Sequence, residues 1–196
     1  MVEQTMSNNL YKKNNVTADS RLPGDPDKNA LVQSMIRVNQ AGEYGAKRIY
    51  QGQLAILGSS DAAPIIKDML AQEEKHLDYF NTLVAERDIR PTVFEPLWHV
   101  AGYALGAATA ALGRDAAMAC TVAVEDVICE HYTEQTMQLG EDEKGLRESI
   151  FDFCEDETHH RDISLKNGAE NAPAYKALTT AVKAGTRLAI WLSKRF

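Results

Sequence analysis

The sequence has little of what marks several large classes of protein. It contains three cysteines in 196 residues, Cys120, Cys129 and Cys154, and no C-x-x-C spacing. An odd number of cysteines without paired spacing argues against a disulfide framework and a zinc site, and it favours a reducing compartment. The first 30 residues are polar and show no secretory signal pattern. We therefore do not expect secretion.

Strand patterns and basic stripes are also missing. No segment alternates polar and apolar residues for long enough to indicate a strand, which predicts an all-α fold. The formal net charge is −7, and no basic stripe carries interleaved aromatic residues. Nucleic acid is therefore not an expected partner.

The C-terminal end lacks acidic residues. From 171 to 196 the charged residues are all basic: Lys176, Lys183, Arg187, Lys194 and Arg195. A basic and partly apolar end on an acidic protein favours contact with anionic lipid or with an acidic partner.

Apolar periodicity, together with Gly and Pro, predicts six helices after a flexible N-terminal arm. We expect the arm to cover residues 1–28 and a single domain to cover 29–196. The helices are predicted at about 30–57, 62–87, 97–113, 116–139, 144–167 and from Pro173 onward. Asp61 is predicted to cap the second helix at its N-terminus, and Gly168 to end the fifth.

The third predicted helix differs from the others. Residues 97–113, LWHVAGYALGAATAALG, contain no formal charge and are rich in Ala and Gly. The segment is at the lower limit of bilayer-spanning length, and its residues are small rather than strongly apolar. We interpret it as a buried or membrane-surface helix in preference to a spanning one.

One pattern of acidic residues and histidines occurs twice. A single Glu inside a helix is followed about thirty residues later by Glu-x-x-His. Helical residues i and i+3 share one face, about 5–6 Å apart at Cβ, so each Glu-x-x-His directs a carboxylate and an imidazole to the same point. Four carboxylates and two imidazoles on four helices are typical of a di-iron or di-manganese centre. The six residues are Glu43, Glu73, His76, Glu125, Glu157 and His160.

Helical phase separates these residues from neighbouring acids. Glu73 lies on an apolar stripe, whereas Glu74 has Leu77 instead of His three residues later. A single unpaired carboxylate on such a stripe would cost several kcal/mol to bury. Shared metal ions would supply the missing partner.

The fifth helix offers two registers. The pair Asp156 and His159 shares a face with polar residues and is predicted to face solvent. The pair Glu157 and His160 lies in line with Ile150 and is predicted to face inward.

His131 and Tyr132 follow Glu125 by six and seven residues. This spacing puts Tyr132 on the face of the ligands and His131 beside it. Two interpretations stay open: the pair positions a ligand or the substrate, or it is an ordinary buried polar pair.

Several longer segments resemble the demethoxyubiquinone hydroxylases of ubiquinone biosynthesis. They are 36–46 (IRVNQAGEYGA), 90–93 (RPTV), 96–98 (PLW), 117–125 (AMACTVAVE) and 172–175 (APAY). The resemblance extends from about residue 30 to the C-terminus. It implies a ferritin-like four-helix bundle with two additional membrane-associating helices.

The resemblance also implies site residues. The iron ligands of the family fall on the six residues selected by helical phase, with Glu73 and Glu157 bridging two iron ions (Fe2+/Fe3+), and with Glu43 and Glu125 as terminal ligands. The polar pair of the family beside the site falls on His131 and Tyr132. Some members have a histidine where this chain has Glu130.

The activity implied is that of an O2-dependent monooxygenase that hydroxylates the ring of a polyprenylated methoxy-methyl-benzoquinol. Such an enzyme would bind peripherally to the cytoplasmic side of the inner cell membrane, where its substrate lies, with possible helper proteins of ubiquinone biosynthesis. The quinol itself or an NADH-derived donor would supply electrons, since the sequence has no Gly-rich dinucleotide loop.

Two alternative functions use the same residues. One is a ferritin- or rubrerythrin-like iron oxidase or peroxidase, which has no organic substrate. The other is a non-enzymatic bundle at the membrane whose inward acids bind metal for stability alone.

Overall fold

The computed structural model of the chain describes residues 27–196. All regular elements in that part are helical, which confirms the predicted all-α class, and the arrangement agrees with a ferritin-like bundle. The α-helices are α1 (Lys28–Leu57), α2 (Ala63–Glu86), α3 (Glu95–Ala111), α4 (Arg114–Gln138), α5 (Lys144–Lys166) and α6 (Tyr175–Arg195). Short 3-10 turns lie at Glu141–Glu143 and Ala169–Asn171.

The chain divides into two compact units, Met1–Leu31 and Val32–Phe196. In the described end of the first unit, the side chain of Asp27 accepts a hydrogen bond from the Ala30 amide at 2.7 Å, the contact expected of an N-cap. The predicted arm at 1–28 falls almost entirely outside the described residues, so the arm and the domain boundary stay predictions.

The predicted helix ends lie within two residues of the observed ones. Gly168 follows α5 with a φ of 94°, in the left-handed region that glycine adopts readily. The prediction for Asp61 was wrong. Ala62 precedes α2 without any side-chain cap, and the Asp61 carboxylate instead accepts a hydrogen bond from Arg114 at 2.9 Å.

Helix α4 lies at the centre of the bundle. It packs against α3, α5 and α6, and every residue from Ala116 to Glu125 is buried. A helix that is covered on all sides needs no polar face, so the run AMACTVAVE contains only small and apolar residues before its single glutamate.

Helices α1 and α3 cross at glycines. A Cβ added to Gly106 would lie 1.9 Å from the backbone oxygen of Ile49, and one added to Gly52 would lie 2.2 Å from that of Tyr103. The two backbones therefore approach more closely than any side chain at these positions would allow. The small residues of the third helix serve this crossing.

The C-terminal helix α6 is attached to α4 and to the start of α3. Lys183 and Arg187 donate to Asp126 at 2.7 Å and to Glu130 at 2.8 Å. Trp98 donates to the Ser193 hydroxyl at 3.0 Å. Two of the basic residues predicted to meet a lipid or a partner are therefore paired within the protein.

Among residues 27–196, no helix is both long and apolar enough to cross a membrane.

Replacing Gly106 with Ala should destabilise the protein, because the added methyl group forces two backbones apart. We expect a loss of about 1–3 kcal/mol in the free energy of unfolding, measured by urea denaturation of metal-free protein followed by circular dichroism. Gly185→Ala is the matched control. A Cβ at Gly185 has nothing within 4 Å, so this variant should be neutral or more stable by up to about 1 kcal/mol. Equal stability of the two variants would contradict the close crossing.

Candidate metal centre

Six buried side chains meet inside the bundle, each from one of four helices. Helix α1 supplies Glu43, α2 supplies Glu73 and His76, α4 supplies Glu125, and α5 supplies Glu157 and His160. All six are between 1% and 3% exposed. Ionisable side chains are rarely buried to this degree unless they are paired or bind a metal.

The six residues form two overlapping groups. Glu43, Glu73, His76 and Glu157 make one group, and Glu73, Glu125, Glu157 and His160 make the other. Within each group, one potential ligand atom per residue lies within 4.8 Å of all the others. Glu73 and Glu157 belong to both groups, which is the arrangement that two metal ions bridged by two carboxylates would need.

Four buried carboxylates at one place repel one another unless cations are present. Burial, and then the charges of Glu157, Glu43 and Glu125, raise the pKa of Glu73 well above its usual range. Neither side-chain oxygen of Glu73 accepts a hydrogen bond. Two divalent cations would balance four carboxylates and bind these oxygens, so the donor set fits a dinuclear metal site.

Glu157 is the carboxylate that both histidines approach. Its Oε1 lies 3.1 Å from Nδ1 of His76, and its Oε2 lies 3.0 Å from Nδ1 of His160. Burial alone would raise the pKa of Glu157, but hydrogen bonds from His160 and His76 lower it to about 2. The two histidines therefore favour the ionised form of Glu157, which is the form that binds a metal ion.

Nδ1 of His76 faces the centre, 3.8 Å from Glu43, and Nε2 faces away from it. Nε2 lies 3.1 Å from Oδ2 of Asp156. Phe153 stacks on the ring, with centroids 4.1 Å apart. Burial would lower the pKa of His76, but hydrogen bonds to Glu157 and Glu43 and their charges raise it to about 11. A metal ion would have to displace this proton.

His160 is held in the corresponding way. Its Nδ1 lies 3.2 Å from Glu73, and its Nε2 lies 2.5 Å from Oε1 of Gln72. In both histidines, Nδ1 is directed at the four clustered glutamates. Nε2 contacts an oxygen of a different side chain, Asp156 or Gln72. A hydrogen bond of this kind fixes the tautomer and the orientation of a metal-binding histidine.

Two buried tyrosines contact the remaining carboxylates. Tyr132 donates its hydroxyl proton to Glu43, and Tyr50 donates to Glu125 at 2.8 Å. Burial, followed by nearby glutamate charges, raises the pKa of both tyrosines well above 10.0. Both hydroxyls therefore stay protonated and orient the carboxylates.

His131 lies apart from the six residues. It is 6% exposed, and its Nε2 lies 2.7 Å from the Gln135 amide, which exchanges two hydrogen bonds of 2.7 Å with Asn39. Burial, with a smaller effect of the Lys194 charge, lowers the pKa of His131 to about 3. Of the predicted pair, Tyr132 thus contacts a candidate ligand and His131 belongs to a neutral polar network. Roles for them in the reaction stay predictions.

The structure brings together all six residues predicted from the sequence. It also adds three that the sequence analysis did not assign to the site, Tyr50, Gln72 and Asp156. Asp156 was predicted to face solvent, and its side chain is 48% exposed, yet it reaches His76.

The doubled pattern contained a signal for all three added residues. Tyr50 follows Glu43 by seven positions, as Tyr132 follows Glu125. Gln72 immediately precedes Glu73, as Asp156 precedes Glu157.

Known proteins match nearly the whole chain. Residues 30–193 match the family described as Ubiquinone biosynthesis protein COQ7. The 3-demethoxyubiquinol 3-hydroxylase of Rhodospirillum rubrum is 54% identical over 187 residues, which cover 95% of this chain and 88% of that protein. The mitochondrial NADPH-dependent 3-demethoxyubiquinone 3-hydroxylase of Homo sapiens is 49% identical over 170 residues, which cover 85% of this chain and 78% of that protein. The protein of that name in Dictyostelium discoideum is 45% identical over 196 residues, which cover 97% of this chain and 90% of that protein.

Asp156→Asn should weaken metal binding, because an amide can still accept the His76 hydrogen bond but no longer supplies a negative charge behind the ring. We expect affinity for Fe2+ to fall by about 10- to 100-fold, measured anaerobically by competition with a chromogenic chelator. Asp152→Asn, one helical turn earlier on an exposed position, is the matched control and should leave the affinity unchanged. Equal affinities would show that Asp156 does not support the histidine.

Proposed function

The chain belongs to the COQ7 family of ubiquinone biosynthesis proteins, and from this membership we infer that it is an enzyme that hydroxylates the ring of demethoxyubiquinol. The relatives that it matches along most of its length are named as hydroxylases of this compound. Ferritin-like iron oxidation and a non-enzymatic bundle are not favoured, because neither explains these matches.

We propose two iron ions as the cofactor, bound by Glu43, Glu73, His76, Glu125, Glu157 and His160. The observation that supports this most directly is the pair of buried ligand groups that share Glu73 and Glu157. Oxygen-rich anionic ligation suits iron in two oxidation states. When bound, the iron ions would supply the reductive activation of O2.

The reaction requires electrons as well as oxygen. One oxygen atom enters a ring C–H bond and the other leaves as water, so each turnover consumes two electrons and two protons. The quinol or a nicotinamide-derived donor would provide them. The mitochondrial relatives are named as NADPH-dependent enzymes, so NADPH is the donor given for those proteins.

The side chains around the centre would contribute orientation and the exclusion of water. Tyr50 and Tyr132 each hold one carboxylate through a protonated hydroxyl. Asp156 and Gln72 each hold one imidazole. Because every proposed ligand is at most 3% exposed, bulk water is kept from the reacting atoms.

We also propose that the protein binds peripherally to the surface of the inner cell membrane. Support comes from the side-by-side ends of α3 and α6, where Phe94 and Phe196 pack with ring centroids 5.9 Å apart. Large apolar side chains in these two helices or directly beside them are about half exposed or more: Val93, Leu97, Val100, Leu188, Trp191 and Phe196. Lys194 and Arg195 lie at the end of α6. Apolar groups beside basic ones are suited to an anionic lipid surface.

The activity test uses demethoxyubiquinol, O2 and iron-loaded protein, with the hydroxylated quinol identified by mass spectrometry. Glu157→Gln should lower the rate by at least about 100-fold, because a negative charge shared by both ligand groups is lost. Glu155→Gln, the same change at an exposed position of α5, should retain full activity. Without hydroxylated product from the unaltered protein, the proposed function would be abandoned.

Membrane binding should depend on the exposed apolar side chains of α3 and α6. We expect Val100→Glu to lower the fraction bound to vesicles of anionic phospholipid by about tenfold, measured by co-sedimentation at fixed salt. Phe151→Glu is the control, since Phe151 is 55% exposed on α5 and Val100 is 64% exposed on α3. Equal losses in the two variants would mean that binding is not local to this surface.

A further inference from the structure

Cys129 and Cys154 face each other across helices α4 and α5. The sulfur of Cys129 lies 3.6 Å from the backbone oxygen of Cys154. The sulfur of Cys154 lies 3.9 Å from the backbone oxygen of Cys129. The contacts are reciprocal, so each thiol lies over the backbone of the other residue.

The pair lies in the same antiparallel register as the candidate ligands. Cys129 follows Glu125 by four residues, and Cys154 precedes Glu157 by three. The thiols are therefore about one helical turn from the carboxylates along each helix. They form a separate cluster on the same pair of helices.

Solvent reaches this cluster. Both cysteines are partly exposed, and Cys129 lines an open surface cleft of about 530 Å³ together with Thr133 and Arg161. A small polar oxidant could therefore approach the sulfurs. The third cysteine, Cys120, is fully buried, and burial raises its pKa to about 12.

The two thiols differ in acidity. Hydrogen bonding from Cys129, helped by Thr133 and opposed by burial, lowers the pKa of Cys154 to about 7. The hydrogen bond to Cys154, followed by burial, raises the pKa of Cys129 well above its usual range. The opposite directions of these two shifts favour the thiolate on Cys154 and the neutral thiol on Cys129. Reactive dithiols have this combination, because the thiolate is the nucleophile.

We propose that Cys129 and Cys154 form a dithiol site that hydrogen peroxide converts into an intrachain disulfide between α4 and α5. The site supplies two electrons and is independent of the proposed hydroxylase activity. Its substrate class is a small peroxide, and the modified product is a cross-link beside the helices that carry Glu125 and Glu157.

The chemistry takes place in two steps. The Cys154 thiolate attacks one peroxide oxygen, an S–O bond forms, the O–O bond breaks, and the departing hydroxide takes up a proton to become water. The Cys129 sulfur then attacks the oxidised sulfur of Cys154. An S–S bond forms, the S–O bond breaks, and the Cys129 proton leaves with the hydroxyl group as a second water. Two thiols are oxidised by two electrons, and one peroxide is reduced to two waters.

The test treats iron-loaded full-length protein with a small excess of hydrogen peroxide, then alkylates free thiols under denaturing conditions. The number of alkylated thiols should fall from three to one, and the unalkylated chain should lose the mass of two hydrogen atoms. Dithiothreitol should restore all three thiols. Cys120 and Cys129 share the tryptic peptide 115–144, so cleavage after Glu125 is needed to show which one is linked to Cys154.

Three single variants make the outcome specific. Cys120→Ser should form the same cross-link as the unaltered protein. Cys129→Ser should stop at a sulfenic acid on Cys154 that dimedone traps, and Cys154→Ser should form no disulfide. A link involving Cys120, a link between two chains, or overoxidation of Cys154 without any cross-link would each overturn the proposal.

Discussion

The structure depends on the burial of four carboxylates at one point in the core. Removing an ionised carboxylate from water costs several kcal/mol even after the protein relaxes, and Glu43, Glu73, Glu125 and Glu157 lie close enough to repel one another. In the described chain, contacts from Tyr50, Tyr132, His76 and His160 reduce this cost without removing it. These contacts leave the oxygens of Glu73 without hydrogen bonds. Bound cations would balance the remaining negative charge. The helical bundle would in this way hold metal ions that can react with oxygen.

The contacts that hold the centre run between the two halves of the doubled pattern. Tyr132 of the second half holds Glu43 of the first, and Tyr50 holds Glu125. The histidines follow the same rule, because the residue that precedes each of the shared glutamates, Glu73 and Glu157, contacts the histidine of the other half. Neither half could therefore form its site alone. The halves also differ, since one histidine contacts a carboxylate and the other an amide, so the two ligand groups are not electronically equivalent.

The helices outside the four ligand-bearing ones are held by other interactions. The glycines of α3 allow its backbone to meet that of α1, so a helix rich in small residues becomes part of the bundle and still leaves an apolar face exposed. Ion pairs with α4 anchor α6. The dithiol on α4 and α5 uses the register that already aligns Glu125 with Glu157, because a close antiparallel pair brings residues together at every turn.

The sequence alone predicted the all-α class, the six helices and the six candidate ligands, because these follow from periodicity within each helix and from a spacing pattern that occurs twice along the chain. The choice of Glu157 over Asp156 as the inward residue is of this kind, since helical phase states which face a side chain occupies. Only the tertiary structure decided which residues meet across helices. Asp156 reaches His76, Arg114 takes Asp61 away from a capping role, and Lys183 and Arg187 pair with α4. Such contacts depend on which helix lies opposite, and the spacing along one helix does not contain that information.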